Sequence, residues 1–216
     1  MSEGLTLENV RIARGAAELI AVERHVPPGE VLAVMGPSGV GKSTLLAFVT
    51  GTLAPGFTAT GRVLLDGADL TGTPPEGRRL GILFQNDLLF PHLSVGGNLA
   101  FGLAPGGSRA ARRARIDAAL AEIGLEGFAD RDPATLSGGQ KARVALMRML
   151  LSDPRALLLD EAFSGLDAAR RGQVRALVFD IARDRGLPVL MVTHDEEDAR
   201  AAGGPVIRLG EDQPPG

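Results

Sequence analysis

The uninterrupted apolar run "VLAVM", residues 31–35, follows the turn "PPGE" and predicts a buried strand, because a strand covered on both faces leaves no polar position. Upstream, "LTLENVRIA" and "AELIAVERHV" read as two short strands. Downstream, "KSTLLAFVTG" switches to helical apolar spacing and closes on Gly51. "GRVLLDG" and "LGILFQ" predict further strands. From about Leu88 to Leu136 the pattern changes: β-branched residues become sparse, "APGGS" breaks the chain, and a helix is predicted from Ser108 to Gly124 with Ile116, Leu120 and Ile123 on one face. This stretch reads as a helical insert. After "ATLSGGQKARVAL" come a strand "ALLLD", a helix from about Asp167 to Arg185, a strand "PVLMVTH", a short helix and a last strand around "PVIRL". Strand and helix alternate, which predicts an α/β fold with a mostly parallel sheet and helices on both faces.

Composition narrows the function classes. At 216 residues one domain with a real core is expected. The 23 Lys and Arg against 26 Asp and Glu give a net charge of -3, opposite to the basic footprint of a duplex binder, so no nucleic-acid partner is expected. The absence of cysteine excludes disulfides and thiolate metal sites and fits a reducing compartment, with the cytoplasm as the expected location. No stretch approaches the roughly 18 apolar residues of a spanning helix, and the start of the chain lacks a basic region followed by an apolar run. A soluble chain is expected, able to sit against a membrane protein.

Candidate chemistry lies at the ends of predicted strands. "GPSGVGKST", Gly36, Pro37, Ser38, Gly39, Val40, Gly41, Lys42, Ser43 and Thr44, fills the pattern G-x-x-x-x-G-K-[ST] between a strand and a helix, the context this phosphate-binding loop requires. Its glycines let successive N–H groups point inward at phosphate oxygens, and the following helix adds its positive end. Lys42 is placed to reach the β- and γ-phosphates and the Ser43 hydroxyl to bind Mg²⁺. In "ALLLDE", Asp160 is the expected Mg²⁺ carboxylate and Glu161 the group that polarises the attacking water. His194 ends "VLMVTH" and is a third candidate, because ligands bind at the carboxyl edge of such sheets; a lone histidine is equally often structural.

These residues resemble the ATP-binding subunits of ABC transporters over nearly the whole chain. "LSGGQ", Leu136 to Gln140, matches the family's signature sequence, which is far more specific than a P-loop; Gln85 in "ILFQND" looks like its Q-loop, "SGLD" from Ser164 to Asp167 like its D-loop, and His194 in "VTHD" like its switch histidine. The resemblance implies a P-loop NTPase of RecA-like type, with an N-terminal antiparallel β region and a helical signature subdomain. It implies one ATPase domain over 1–212, with a catalytic core from 1–87 and 147–212, the helical subdomain 88–146 inserted, and a frayed tail at 213–216. It also implies roles. Glu161, His194, Gln85 and Lys42 would be catalytic, with Gln85 also touching Mg²⁺; by chemistry alone a glutamine after a strand reads as a surface residue. Ser137, Gly138, Gly139 and Gln140 would face the ATP of a second copy in a head-to-tail dimer. Ser164 and Asp167 would belong to that interface, although the same residues also suit a helix cap.

Two departures from the family pattern stand out. Arg14 occupies the place of the usual adenine-stacking aromatic, and the chain has no Tyr or Trp; a guanidinium can stack on a base, and a solvated arginine is the alternative. Ala162 replaces a proline common in relatives, which removes a φ constraint and no reacting group, so activity is expected to survive.

"GILFQNDLLFPHLSVGGNLAFGL" looks like importer ATPases for thiamine, ferric iron, sulfate or polyamines, and "DPATLSGGQKARVAL" looks closest to the thiamine type. Expected partners are therefore integral membrane permease subunits, an extracytoplasmic solute-binding protein and a second copy of the chain, with ATP and Mg²⁺ as cofactors and a peripheral position at the inner face of the membrane. Leu88, Leu89 and Phe90 would receive the permease, or else are simply core. The C-terminal regulatory domain of several such importers is expected to be missing. An exporter or lipoprotein-extracting ATPase is the rival within transport, and a non-transport cytosolic ABC ATPase lies further off. The arginines at 109, 112, 113 and 115 read as a solvated face, and Asp195 to Asp198 as a helix opening suited to the dipole.

Overall fold

The computed structural model describes residues 3–86 and 88–210, so the tail expected at 213–216 lies outside the described residues. In chain order the elements are β1 (Leu5–Arg14), β2 (Ala17–Val26), β3 (Val31–Met35), α1 (Lys42–Thr50), β4 (Phe57–Leu65), β5 (Ala68–Asp69), β6 (Leu80–Phe84), α2 (Val95–Gly102), α3 (Arg109–Glu122), α4 (Gly138–Leu150), β7 (Ala156–Asp160), α5 (Ala168–Asp184), β8 (Val189–Thr193), α6 (Glu196–Ala202) and β9 (Val206–Arg208).

The chain divides into two units by its internal contacts. Among the described residues the first holds 3–82, Arg155–Glu161 and 179–210. It carries two sheets. One is antiparallel, ordered β2-β1-β4-β5, and the other has the order β6-β7-β8-β3-β9. Within the second sheet β7 with β8, β8 with β3 and β3 with β9 run parallel. "VLAVM" is buried at every position, as a strand covered on both faces must be. The core joins the antiparallel sheet, through Leu5, Leu7, Ile12 and Ile20, to Leu32 and Val34 of β3 and to Leu45, Leu46 and Val49 of α1. Parallel pairing brings the carboxyl ends of β7, β8 and β3 to one edge, and the P-loop, Asp160, Glu161 and His194 follow those ends.

The second unit, Leu83–Pro154 and Ala162–Val178, is helical. Its caps match the sequence cues: Ser108 Oγ accepts from Ala111 N at 3.1 Å and opens α3, and Asp167 Oδ1 accepts from Arg170 N at 3.1 Å and opens α5. Helix α2 was not expected, because its three glycines score against helix formation. They are there for clearance. A Cβ at Gly96 would lie 2.9 Å from Ala129 O, and one at Gly102 would lie 2.0 Å from Arg148 O, so α2 approaches its neighbours more closely than a side chain allows. Likewise β4 begins at Phe57, four residues before the expected strand, because Thr58, Ala59 and Thr60 complete its pairing with β1. Among the described residues no helix is long and apolar enough to cross a membrane.

Candidate nucleotide site

The P-loop leaves β3 and curls through glycines in the left-handed half of backbone space: Gly36 at φ 156°, Gly39 at 85° and Gly41 at 110°. At Gly36 the space is also closed, since a Cβ would meet Leu209 O at 2.8 Å and Val40 Cγ1 at 2.9 Å. Lys42 is the first residue of α1 and only 5% exposed. Its Nζ donates to Gly36 O at 2.7 Å and Pro37 O at 3.0 Å, and lies 3.6 Å from Glu161 Oε1. The loop thus folds over its own lysine and holds the ammonium with its carbonyls. A buried ammonium needs acceptors and an anion nearby, and the two carbonyls and the Glu161 carboxylate supply them here.

Glu161 sits one residue beyond β7, at φ 48°, an uncommon conformation for a residue with a long side chain. Its N–H still donates to Val192 O at 3.0 Å and so extends the ladder to β8. The turn aims the carboxylate at two nitrogens: Oε1 lies 3.6 Å from Lys42 Nζ, and Oε2 lies 3.2 Å from His194 Nδ1. His194 is half-exposed, just past β8. The next residue, Asp195, caps α6 by accepting from Glu197 N at 2.8 Å and Asp198 N at 3.3 Å, and Glu196 pairs with Arg208 at 2.5 and 3.0 Å. The acidic run therefore acts as the helix opening expected of it. A cavity of about 210 Å³ lies between the P-loop residues Gly36 and Pro37 and His194.

Ser43 Oγ donates to Asp160 Oδ1 at 3.3 Å, joining the helix start to the end of β7. Burial pushes the Asp160 carboxyl above the ordinary range; the Ser43 hydroxyl opposes that, the Glu161 charge adds to it, and Lys42 again opposes it. A hydroxyl and a carboxylate oxygen this close form a hard-oxygen pair, the donor set Mg²⁺ takes.

The remaining expected site residues are placed as follows. Gln85, in the bend after β6, is exposed and belongs to the second unit. So do Ser137 to Gln140, which start α4. Ser137 Oγ accepts from Gln140 N at 3.4 Å while Gln140 Oε1 accepts from Ser137 N at 2.9 Å, a complete capping box. Gly139 is buried against the side chain of Arg170, and Arg170 in turn pairs with Asp167 at 3.1 Å. The cap reading of "SGLD" is thus met at Asp167, while Ser164 is half-buried. Arg14 is exposed at the end of β1, with its guanidinium 5.7 Å from the centroid of the Phe57 ring on β4. Ala162 is buried.

Around Leu88 to Phe90 the second unit carries an apolar surface that is only partly core. Leu88 is 57% exposed and Phe101 70%, while Phe90 stacks obliquely on Phe101 with ring centroids 4.8 Å apart. Beneath it lies a residue the sequence did not single out. Asn98, fully buried, accepts from Phe90 N at 2.7 Å and donates to Phe90 O and Ser94 O, both at 3.1 Å. Arg148 adds a bond to Leu88 O at 2.8 Å. The available signal was a polar residue following a Ser cap among Val95 and Leu99, where an apolar side chain would be the norm. In the arginine run, Arg112 is not merely solvated, since it donates to Ala104 O at 2.7 Å and Ala100 O at 3.0 Å.

The profile of the ABC transporter family matches residues 19–164, from β2 to the segment after Glu161. The chain belongs to the ABC transporter family. It is 46% identical over 198 residues to the uncharacterized ABC transporter ATP-binding protein YnjD of Escherichia coli, covering 91% of each chain. It is 50% identical over 197 residues to the thiamine import ATP-binding protein ThiQ of Cereibacter sphaeroides, covering 91% of this chain and 84% of that one. Among solved structures, cbiO1 from Clostridium perfringens, part of the ABC transporter complex cbiONQ, superposes with a TM-score of 0.83 at 29% identity, over 97% of this chain and 85% of the other. As a member of this family the chain is an ATP-binding ATPase, and the α/β P-loop fold expected from its motifs is the fold it has.

Proposed function

We propose that this ABC ATPase energises solute import through a membrane permease, with two copies closing head to tail over two ATP molecules. The observation that carries the reading is the convergence of Lys42, Glu161 and His194 at one edge of three neighbouring parallel strands. In this scheme the P-loop N–H groups and Lys42 hold the phosphates. Glu161 orients water for in-line attack on the γ-phosphate and accepts its proton, and His194, bonded to the same carboxylate, keeps Glu161 in place. Mg²⁺ would be held by Ser43 and Asp160 and would neutralise charge on the bound phosphates. Ser137, Gly138, Gly139 and Gln140 of one copy would meet the γ-phosphate held by the other, Ser164 and Asp167 would line that interface, and Arg14 would lie against the adenine. The names of relatives support import, and thiamine is the first solute to try. Leu88, Leu89 and Phe90, with Phe101, form the surface proposed to receive the permease at the inner face of the membrane.

Affinity purification from membranes in mild detergent tests the assembly. Recovery of a polytopic permease and a solute-binding protein is the expected result; a partner with a large periplasmic domain would point to export or extraction instead. Glu161→Gln should bind ATP, hydrolyse it about 10²–10⁴-fold more slowly and accumulate as a dimer in size-exclusion chromatography. A variant that stays monomeric with ATP under all conditions would overturn the clamp.

A further inference from the structure

Arg78 stands just before β6 and is 4% exposed. Its donors all go to backbone carbonyls. Nη1 donates to Phe48 O at 3.0 Å and Val49 O at 2.7 Å, Nη2 to Thr71 O at 2.8 Å, and Nε to Thr73 O at 2.7 Å. Among the described residues no carboxylate comes within ion-pair range of it, and burial holds its pKa below the usual guanidinium value against the opposing charge of Asp69. A buried cation without a counter-ion is unfavourable unless something else supplies negative potential.

Besides the more distant Asp69 charge, negative potential comes here from a helix end. Phe48 and Val49 are in the last turn of α1, whose final carbonyls have no partners within the helix and carry the negative end of its dipole. The chain makes room for the cation there. Gly51, at φ 79°, closes the helix, and a Cβ on it would lie 2.7–2.8 Å from the guanidinium atoms. Of the other final carbonyls, Ala47 O is met by Thr52 N at 2.8 Å, and Phe48 O also accepts from Gly51 N at 3.1 Å, so Val49 O is the one for which Arg78 supplies the bond. Arg78 therefore completes the end of α1 and ties it to the 71–73 turn. The opposite end of the same nine-residue helix, about 13 Å away, begins at Lys42 and Ser43.

We propose that Arg78 is a positioning residue for phosphate binding: by clamping the carboxyl end of α1 it fixes where the amino end of that helix, with Lys42 and Ser43, is presented to the nucleotide. The proposal rests on the reading of residues 36–44 as the phosphate site. A clamp at one end of a short, stiff helix sets the height and tilt of the other end, and its positive charge favours an anion along the axis. Lysine keeps the charge but replaces a planar fork spanning four carbonyls with a single ammonium.

The test uses the full chain, with the dissociation constant of MgADP measured by calorimetry and folding followed by circular dichroism and thermal melting. Three variants are compared with wild type: Arg78→Met, Arg78→Lys, and Val26→Ala as a destabilised control in the antiparallel sheet. At a temperature where each is folded, Arg78→Met should bind MgADP roughly tenfold more weakly and Arg78→Lys by an intermediate factor, while Val26→Ala lowers the melting temperature and leaves affinity unchanged. If Arg78→Met does not fold, Arg78→Lys carries the test. Unchanged affinity in the folded Arg78 variants would reduce the residue to a fold stabiliser and overturn the proposal; weakened binding in Val26→Ala as well would do the same. Wild type failing to bind MgADP would instead remove the phosphate-site reading itself.

Discussion

Lys42 Nζ lies 3.6 Å from Glu161 Oε1, so the cation proposed to grip phosphate and the carboxylate proposed to activate water are held against each other across two strand ends. Nucleotide entry must then loosen a contact as well as make one. Lys42→Ala removes a charged hydrogen-bond donor and should weaken ATP binding by about 1.5–3 kcal/mol. Titration with ATP and steady-state ATPase assays check this. Undiminished turnover in the variant would sink the assignment of residues 36–44.

Asn98 anchors the segment that carries the exposed apolar surface. Truncation to Ala would strand Phe90 N and Phe90 O, which Asn98 satisfies at 2.7 and 3.1 Å. Asn98→Ala should lower unfolding stability by about 2–3 kcal/mol in denaturant titration. A loss of only a few tenths would mean that water replaces the side chain and that the site is less buried than described.

Phe101 is exposed to 70% and makes its ring contact with Phe90, so its charge-bearing substitute should be tolerated by the fold. Phe101→Asp should leave the ATPase activity and melting temperature of the isolated chain close to wild type while abolishing co-purification of the permease. Intact co-purification would move the docking surface elsewhere.

Asp66 gives a pH dependence of stability with a defined sign. The backbone N–H of Gly4 at 2.7 Å, and then the Arg155 guanidinium, hold its carboxyl below the ordinary range against the opposing effect of burial. The folded state therefore releases this proton at lower pH than the unfolded chain does. The stabilisation is complete above the unfolded value, near pH 4, and fades as pH falls through the lower folded value. With Asp66 35% and Arg155 41% exposed, solvent screening limits it to about 1 kcal/mol or less. Asp66→Asn should thus be slightly destabilised at pH 7, with the difference from wild type shrinking below about pH 4 in urea melts.

Legibility in the sequence tracked how local the cause was. The apolar run of β3, the Ser and Asp caps and the glycines of the P-loop act within a few residues, and each was visible before the fold was known. The α2 glycines gave no local cue because their reason is distant: Gly102 is small for the sake of Arg148, 46 positions on. Asn98 and Arg78 were missed for the same cause, since each serves carbonyls that only the folded chain brings near. Glu161 was named for its chemistry, but nothing local announced that its backbone would turn left-handed to face Lys42 and His194 together.

The capping box at Ser137 has a consequence for which residues that position accepts. A hydroxyl accepts from Gln140 N and still has a proton to give, so it can close the helix and bond a phosphate oxygen at once. Asparagine or aspartate would cap the helix as well or better, but aspartate would turn a negative charge toward the ligand and asparagine would divide the two tasks between different atoms. On the proposed reading of residues 137–140, serine serves both tasks with one atom, and threonine is the replacement that should keep both.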